Sequence, residues 1–115
     1  MNVKTPTINH VTFSGNLTRD AKIEHIGDDL ITVARLSIAN NGHYRDKSGN
    51  WHDVVTYAEA EIWGAAADRV EIFGKKGAPI IAEGCLKQNI WTDKDGNKHQ
   101  KIFIKADRIH QLAKE

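Results

Sequence analysis

The sequence predicts an all-β fold: five strands closed into a Greek-key barrel, with one short helix between the third and fourth strands. Three observations predict it. Runs rich in Val, Ile, Thr and aromatic residues recur at strand length, several with apolar residues on alternate positions. Gly and Asp-Gly signals separate them, with no linker, low-complexity tract or internal repeat. A single stretch, Ala65 to Phe73, combines helix formers with helical spacing.

The elements follow in order. Ile8 to Leu17 places Val11, Phe13, Gly15 and Leu17 on one face and reads as a strand. Gly15 within it predicts a bulge or a close backbone approach. Ala21 to Ile26 continues as a short strand, and Gly27-Asp28-Asp29 reads as a turn. Leu30 to Ala39, rich in Ile, Val and Leu, is the second long strand. Asn40 to Asp53 is polar, contains Gly42 and Gly49, and reads as a long loop or flexible hairpin tip. Val54 to Trp63 is the third strand. Its Val54, Thr56, Ala58, Ala60 and Ile62 form a small, mostly apolar face suited to a core. Its other face carries Val55, Tyr57, Glu59, Glu61 and Trp63 and therefore looks outward, with two large aromatics on it. In the helix, Ala66, Val70 and Phe73 are spaced i, i+4, i+7, and Gly74 and Gly77 read as its stop. Pro79 to Thr92 is the fourth strand, Asp93 to Asn97 a hairpin turn, and Lys98 to Gln111 the fifth strand, with Ile102, Ile104 and Ala106 on one face. This order is that of the OB-fold. A ferredoxin-like fold would need a helix between the first two strands, and an immunoglobulin-like sandwich about seven strands and no helix.

Length and composition agree with a single domain over residues 1–115, its core at about 8–112. A chain of 115 residues buries roughly 65% of its extended surface. No apolar run approaches the ~18 residues of a membrane helix, and the N-terminus has no apolar signal region. Cys85 is the lone cysteine, so no internal disulfide forms and a reducing, cytoplasmic setting is expected. With 16 basic and 15 acidic residues the net charge is +1, which excludes binding to nucleic acid by bulk charge alone. Such binding would need placed cations plus stacking.

The residues support that combination. Trp91 ends the fourth strand on the face of Cys85, Lys87 and Asn89. Tyr44 and Trp51 stand in the polar tip beside Arg45, Lys47 and His52. Bases stack on exposed aromatics for ~1–3 kcal/mol each while nearby cations track phosphates. The competing reading makes Trp63 and Trp91 partly buried barrel caps or subunit contacts. Lys75 and Lys76 either solvate the helix end or meet phosphates, and Arg35 is a binding-face cation or a subunit contact. The six histidines lack zinc-type spacing. His52-Asp53 is the sole base–orienter candidate and reads as exposed loop. No metal, cofactor or enzymatic activity is expected.

The chain resembles bacterial single-stranded DNA-binding proteins of the tetrameric OB-fold type. The resemblance rests on Asn9-His10-Val11, Gly15-Asn16-Leu17 with Asp20, and Tyr44-Arg45-Asp46-Lys47. It continues through Trp63-Gly64, Lys76-Gly77, Glu83-Gly84 and Trp91-Thr92-Asp93 with Gly96. It implies a homotetramer that coats single-stranded DNA in replication, recombination or repair, without strong sequence preference. It places the stacking rings at Tyr44, Tyr57, Trp63 and Trp91, where the family usually has Trp at the first two positions and Phe at the third. Lys87, Lys75 and Lys76 match basic family positions. Glu59, Asn89 and Ile90 replace basic ones, and Ala58 replaces a His near subunit contacts. The chain ends at Leu112-Ala113-Lys114-Glu115 without the family's acidic tail, so tail-mediated partners are not expected. That ending suits a shortened relative of plasmid or phage type. A primosome-type OB-fold dimer and an OB-fold protein-interaction module stay open as alternatives.

Overall fold

The computed structural model describes residues 3–112. It contains β1 (Val11–Leu17), β2 (Lys22–Ile26), β3 (Ile31–Arg45), β4 (Trp51–Trp63), α1 (Ala65–Phe73), β5 (Pro79–Thr92) and β6 (Lys98–Gln111). The strands hydrogen-bond in the order β1-β5-β6-β4-β3-β2, and β1 also pairs with β3, which closes the barrel. All pairings are antiparallel except β4–β6, a short parallel contact of Ala60 with Ile104 and Glu61 with Lys105. β4 occupies one edge of β3. β1 and β2 take successive stretches of the other, through Asn16–Ala39 and Leu17–Ile38, then Lys22–Arg35 to Ile26–Ile31. They act as one bent strand, so the barrel has five staves, and the helix lies between the third and the fourth. The fold is the OB-fold.

Closure depends on two close approaches. A Cβ on Gly15 would lie 2.2 Å from the Ala39 carbonyl oxygen, so β1 can reach β3 and β5 together only without a side chain there. A Cβ on Gly84 would lie 2.0 Å from the Lys105 oxygen. At Glu83/Gly84 the β5–β6 register jumps from Arg108 to Ala106, leaving Asp107 as the extra, bulged residue. The bulge switches the inward parity of β6 from Ile104 and Ala106 to Ile109, which packs on the core. Side-chain amides supply further joints. Asn9 donates to the Leu86 carbonyl (2.9 Å) and accepts from the Leu86 N–H (2.8 Å), extending β1 as another strand residue would. Asn40 donates to the Ser14 carbonyl at 2.8 Å.

The core is a tight set of aliphatic side chains, among them Leu17, Leu36, Ile38, Ile62, Val70 and Ile80. The helix plugs one end with Ala67 and Val70 buried and Ala66 and Phe73 packed against the core. At its end only glycine fits, since a Cβ on Gly74 would sit 2.6 Å from the Val70 oxygen and 2.8 Å from the Ala21 Cβ. Asp20 accepts the Lys76 backbone N–H at 2.8 Å and fixes the loop after the helix.

One element differs from the sequence expectation. Asn40–Asp53 is not a long loop. β3 runs to Arg45 and β4 starts at Trp51, with unbroken pairing from Val33–Trp63 out to Arg45–Trp51. Only 46–50 turn. The outer part of this ribbon leaves the barrel, so both faces are wet and no apolar alternation marks it as strand. β5–β6 forms a second ribbon of the same kind, with Ile90 and Ile102 exposed on it. The two arms raise the radius of gyration to 17.3 Å, against about 13 Å for a compact chain of this length.

Candidate nucleic-acid interface

Tyr57 and Trp63 stand on the outer face of β4, as their parity predicts, while Ala60 and Ile62 fill the core opposite. Tyr57 is 68% exposed, Trp51 69% and Trp91 46%. The unbroken β3–β4 register puts Trp51, Tyr57 and Trp63 on one face with Arg35 and Arg45. Trp91, Asn89 and Lys87 lie on the outward face of β5, opposite Ile80 and Ala82. Tyr44 differs: it shares the parity of Leu36 and Ile38 and stands on the other face of its ribbon from Tyr57.

Where the ribbons part beyond the β4–β6 contact, a cleft of about 480 Å³ opens, with Tyr57 at one wall and Leu86, Ile102 and Phe103 at the other. The two acids on the aromatic face have partners here. Glu59 forms an ion pair with Lys101 across the gap between β4 and β6. Glu61 accepts the Trp63 indole N–H at 2.6 Å and sits 3.5 Å from the Arg35 Nε. Arg35 also binds Glu24 at 2.7 Å, and this bond holds the Glu24 carboxyl below the ordinary range and raises Arg35. Arg35 is therefore spent largely within the fold. Arg45 curls over its own turn to donate to the Gly49 carbonyl at 3.2 Å. Lys47, Lys75, Lys76 and Lys87 make no ion pair among the described residues. Lys75 and Lys76 precede the start of β5, whereas Trp91 is near its end, twelve residues and roughly 40 Å of strand beyond Pro79. The basic pair is thus remote from Trp91 along β5, whereas the turn after it meets β1 at Asn16 and Leu17, next to Ala39 of β3, which pairs with Tyr57.

The two ribbon tips share one construction. Tyr44-Arg45-Asp46-Lys47-Ser48-Gly49-Asn50-Trp51-His52 and Trp91-Thr92-Asp93-Lys94-Asp95-Gly96-Asn97-Lys98-His99 repeat the pattern aromatic-x-Asp-Lys-x-Gly-Asn-x-His. The expectation of no internal repeat therefore fails at 44–52 and 91–99, where aligning the two Asp-Lys-x-Gly-Asn turns shows one. Each Asp Oδ1 accepts two turn N–H groups at 2.9 Å: Ser48 and Asn50 in one tip, Asp95 and Asn97 in the other. The glycines take φ of 85° and 84°, the left-handed position of a three-residue hairpin loop. The His Nε2–H donates to the other Asp oxygen, at 2.6 Å from His52 and 2.7 Å from His99. These bonds hold Asp46 and Asp93 below the ordinary carboxylate range. His52 therefore pairs with Asp46, not with Asp53, which faces the opposite side of the strand and binds His43 at 2.8 Å. The base–orienter arrangement considered for His52-Asp53 does not form. No group of three or more metal-ligating side chains occurs among the described residues, and no helix is long and apolar enough to cross a membrane.

An OB-fold barrel with two projecting ribbons, both displaying aromatic rings beside lysines, defines the class: an OB-fold protein with an exposed aromatic–basic face. The comparisons identify the family. A model of the single-strand binding protein family matches residues 8–112, and the chain belongs to that family. It is 37% identical over 109 residues to the single-stranded DNA-binding protein of Deinococcus radiodurans, covering 93% of this chain and 35% of that protein. It is 34% identical over 110 residues to single-stranded DNA-binding protein 1 of Xylella fastidiosa, covering 95% and 80%. A crystal structure of a deletion mutant of the single-stranded DNA-binding protein from Thermus aquaticus superposes with a TM-score of 0.81 at 26% identity, over 92% of this chain and 51% of that one. The chain thus spans about a third of the Deinococcus protein and about half of the Thermus one.

Proposed function

We propose that this protein binds single-stranded DNA by base stacking and phosphate contacts, with little sequence preference and no catalysis. The observation that carries the reading is the set of exposed rings on the barrel face and ribbon arms, Tyr44, Trp51, Tyr57, Trp63 and Trp91, in a chain of this family. Such rings are costly in water and offer π-faces to any base. Lys47 and Lys87, free of ion pairs among the described residues, reach phosphates beside them, with Arg45 at the tip; Lys75 and Lys76 extend the path along the β1 side of the barrel. Arg35 orders the face through Glu24 and Glu61 more than it serves as a free cation. The working form is a homo-oligomer, a tetramer by family likeness, acting in the cytoplasm in replication, recombination or repair. The test is oligo-dT binding read by tryptophan fluorescence. Quenching at low salt that fades as salt rises supports the reading; no quenching at low salt rejects it. Light scattering of the same sample separates tetramer from dimer.

A further inference from the structure

Resting on that reading, we propose that His52 and His99 are positioning residues that make the two ribbon tips equivalent base-stacking stations. In each tip the His is the direct cross-strand neighbour of the aromatic residue, Tyr44 opposite His52 and Trp91 opposite His99. The rings stack with centroids 5.0 Å and 5.4 Å apart, both at 20°. Each imidazole is in turn anchored to the Asp that caps the turn backbone, at 2.6 Å and 2.7 Å. The chain of restraint therefore runs from turn N–H groups to carboxylate, to imidazole, to aromatic ring.

Two consequences follow. The imidazole covers one face of the aromatic ring, so a base stacks on the other, one base to each tip. The ring is also ordered before DNA arrives, which removes part of the cost of ordering it on binding. An isolated two-stranded ribbon is marginal in water, so a loose ring on a bare arm would otherwise bear that cost in full. The same five residue types recur in both tips at the same positions, with the same hydrogen bonds and matching ring geometry. Coincidence of exposed side chains does not produce that match twice. The chemistry recognised is a nucleobase face, at two stations borne on separate arms.

The test uses the full chain and oligo-dT as probe. His99→Ala is expected to weaken binding about two- to tenfold, the cost of ordering one side chain on association. His99→Phe, which keeps a ring under Trp91, is expected to stay within about twofold of the parent on the same scale. In a Trp91→Ala background, His99→Ala is expected to cost nothing more, because the ring it positions is gone. A full additional loss in that background overturns the positioning role and makes His99 a contact in its own right. Equal binding by the parent and His99→Ala also overturns it. Proton NMR without DNA provides the independent arm: His99 ring protons should be shifted upfield by the Trp91 ring current and lose that shift in Trp91→Ala. An unshifted His99 ring in the parent removes the stack and the proposal with it. If the ring-current shift is present but the parent binds no oligo-dT, the DNA reading fails, and the station assignment falls with it while the stack stands.

Discussion

At the scale of single residues, the acids on the aromatic face matter most. Glu59 and Glu61 stand where phosphate would be repelled, and alternation along β4 shows that much from sequence alone. Their partners are not legible there. Lys101 is distant in sequence and meets Glu59 only because β4 and β6 run side by side, while Arg35 meets Glu61 across the β3–β4 ladder. The pairing turns Glu59 from an obstacle into a mask over Lys101. Glu59→Gln is therefore expected to release the lysine, raise oligo-dT affinity at low salt and steepen the salt slope by roughly 0.7 for one more phosphate neutralised. A salt titration showing an unchanged slope would mean Lys101 does not face the strand. The tip carboxylates give a second expectation. Asp46 and Asp93 are held below their ordinary value of 3.8 by their His and backbone donors. A depressed carboxyl adds stability above its unfolded pKa and loses it as pH falls through its folded pKa. The carboxylate caps should therefore stay in place down to about pH 4 and fail only below it, read in acid titration as a change in the fluorescence of Trp51 for the Asp46 tip and Trp91 for the Asp93 tip. Cap failure at pH 5 to 6 would contradict the bonding seen here.

At the scale of elements, legibility followed water exposure. β1, the barrel half of β3, β4 and the helix announce themselves because one face of each is buried, which imprints period 2 or 3.6 on the sequence. The distal half of the β3–β4 ribbon carries no such imprint, since both its faces are wet, and it reads as loop. Gly15 was readable as a close approach, but not what it approaches, because the Ala39 carbonyl comes within reach only when the barrel closes. That contact yields a prediction for the element. Gly15→Ala places a methyl 2.2 Å from a backbone oxygen and 2.9 Å from the Ile38 side chain, and β1 cannot shift without disturbing its pairing with β5, nor β3 without disturbing its pairing with β4. The variant should lose on the order of 2–4 kcal/mol of stability, as overpacking in a rigid setting does. Urea unfolding would measure it, and a loss below about 0.5 kcal/mol, the usual range of a surface change, would show that the joint yields.

At the scale of the whole molecule, the barrel and the arms divide the work. Among the described residues, every buried hydrophobic residue lies in the barrel, its helix or the turn between α1 and β5, and none lies between Asn41 and Val55. The arm holds Tyr44, Arg45, Lys47 and Trp51, all of which the sequence marked for binding, yet it contributes nothing to the core. Stability and binding should therefore be separable. Because Asn40 and Thr56 are directly paired, residues 41–55 can be replaced by Asn-Gly, a two-residue turn that suits the twist of the flanking strands. Asn40 keeps its bond to Ser14, and the barrel end of the ladder stays intact. The trimmed protein is expected to fold with a melting temperature close to that of the parent. Its oligo-dT affinity should fall by tenfold or more, since even one lost stacking ring is worth ~1–3 kcal/mol. Unchanged affinity would move the binding path off this arm and onto the barrel face and the β5–β6 ribbon. Failure to fold would show that the arm braces the barrel through contacts the burial pattern does not reveal. Full folding with weakened binding is the outcome that a rigid barrel carrying two wet, aromatic arms requires.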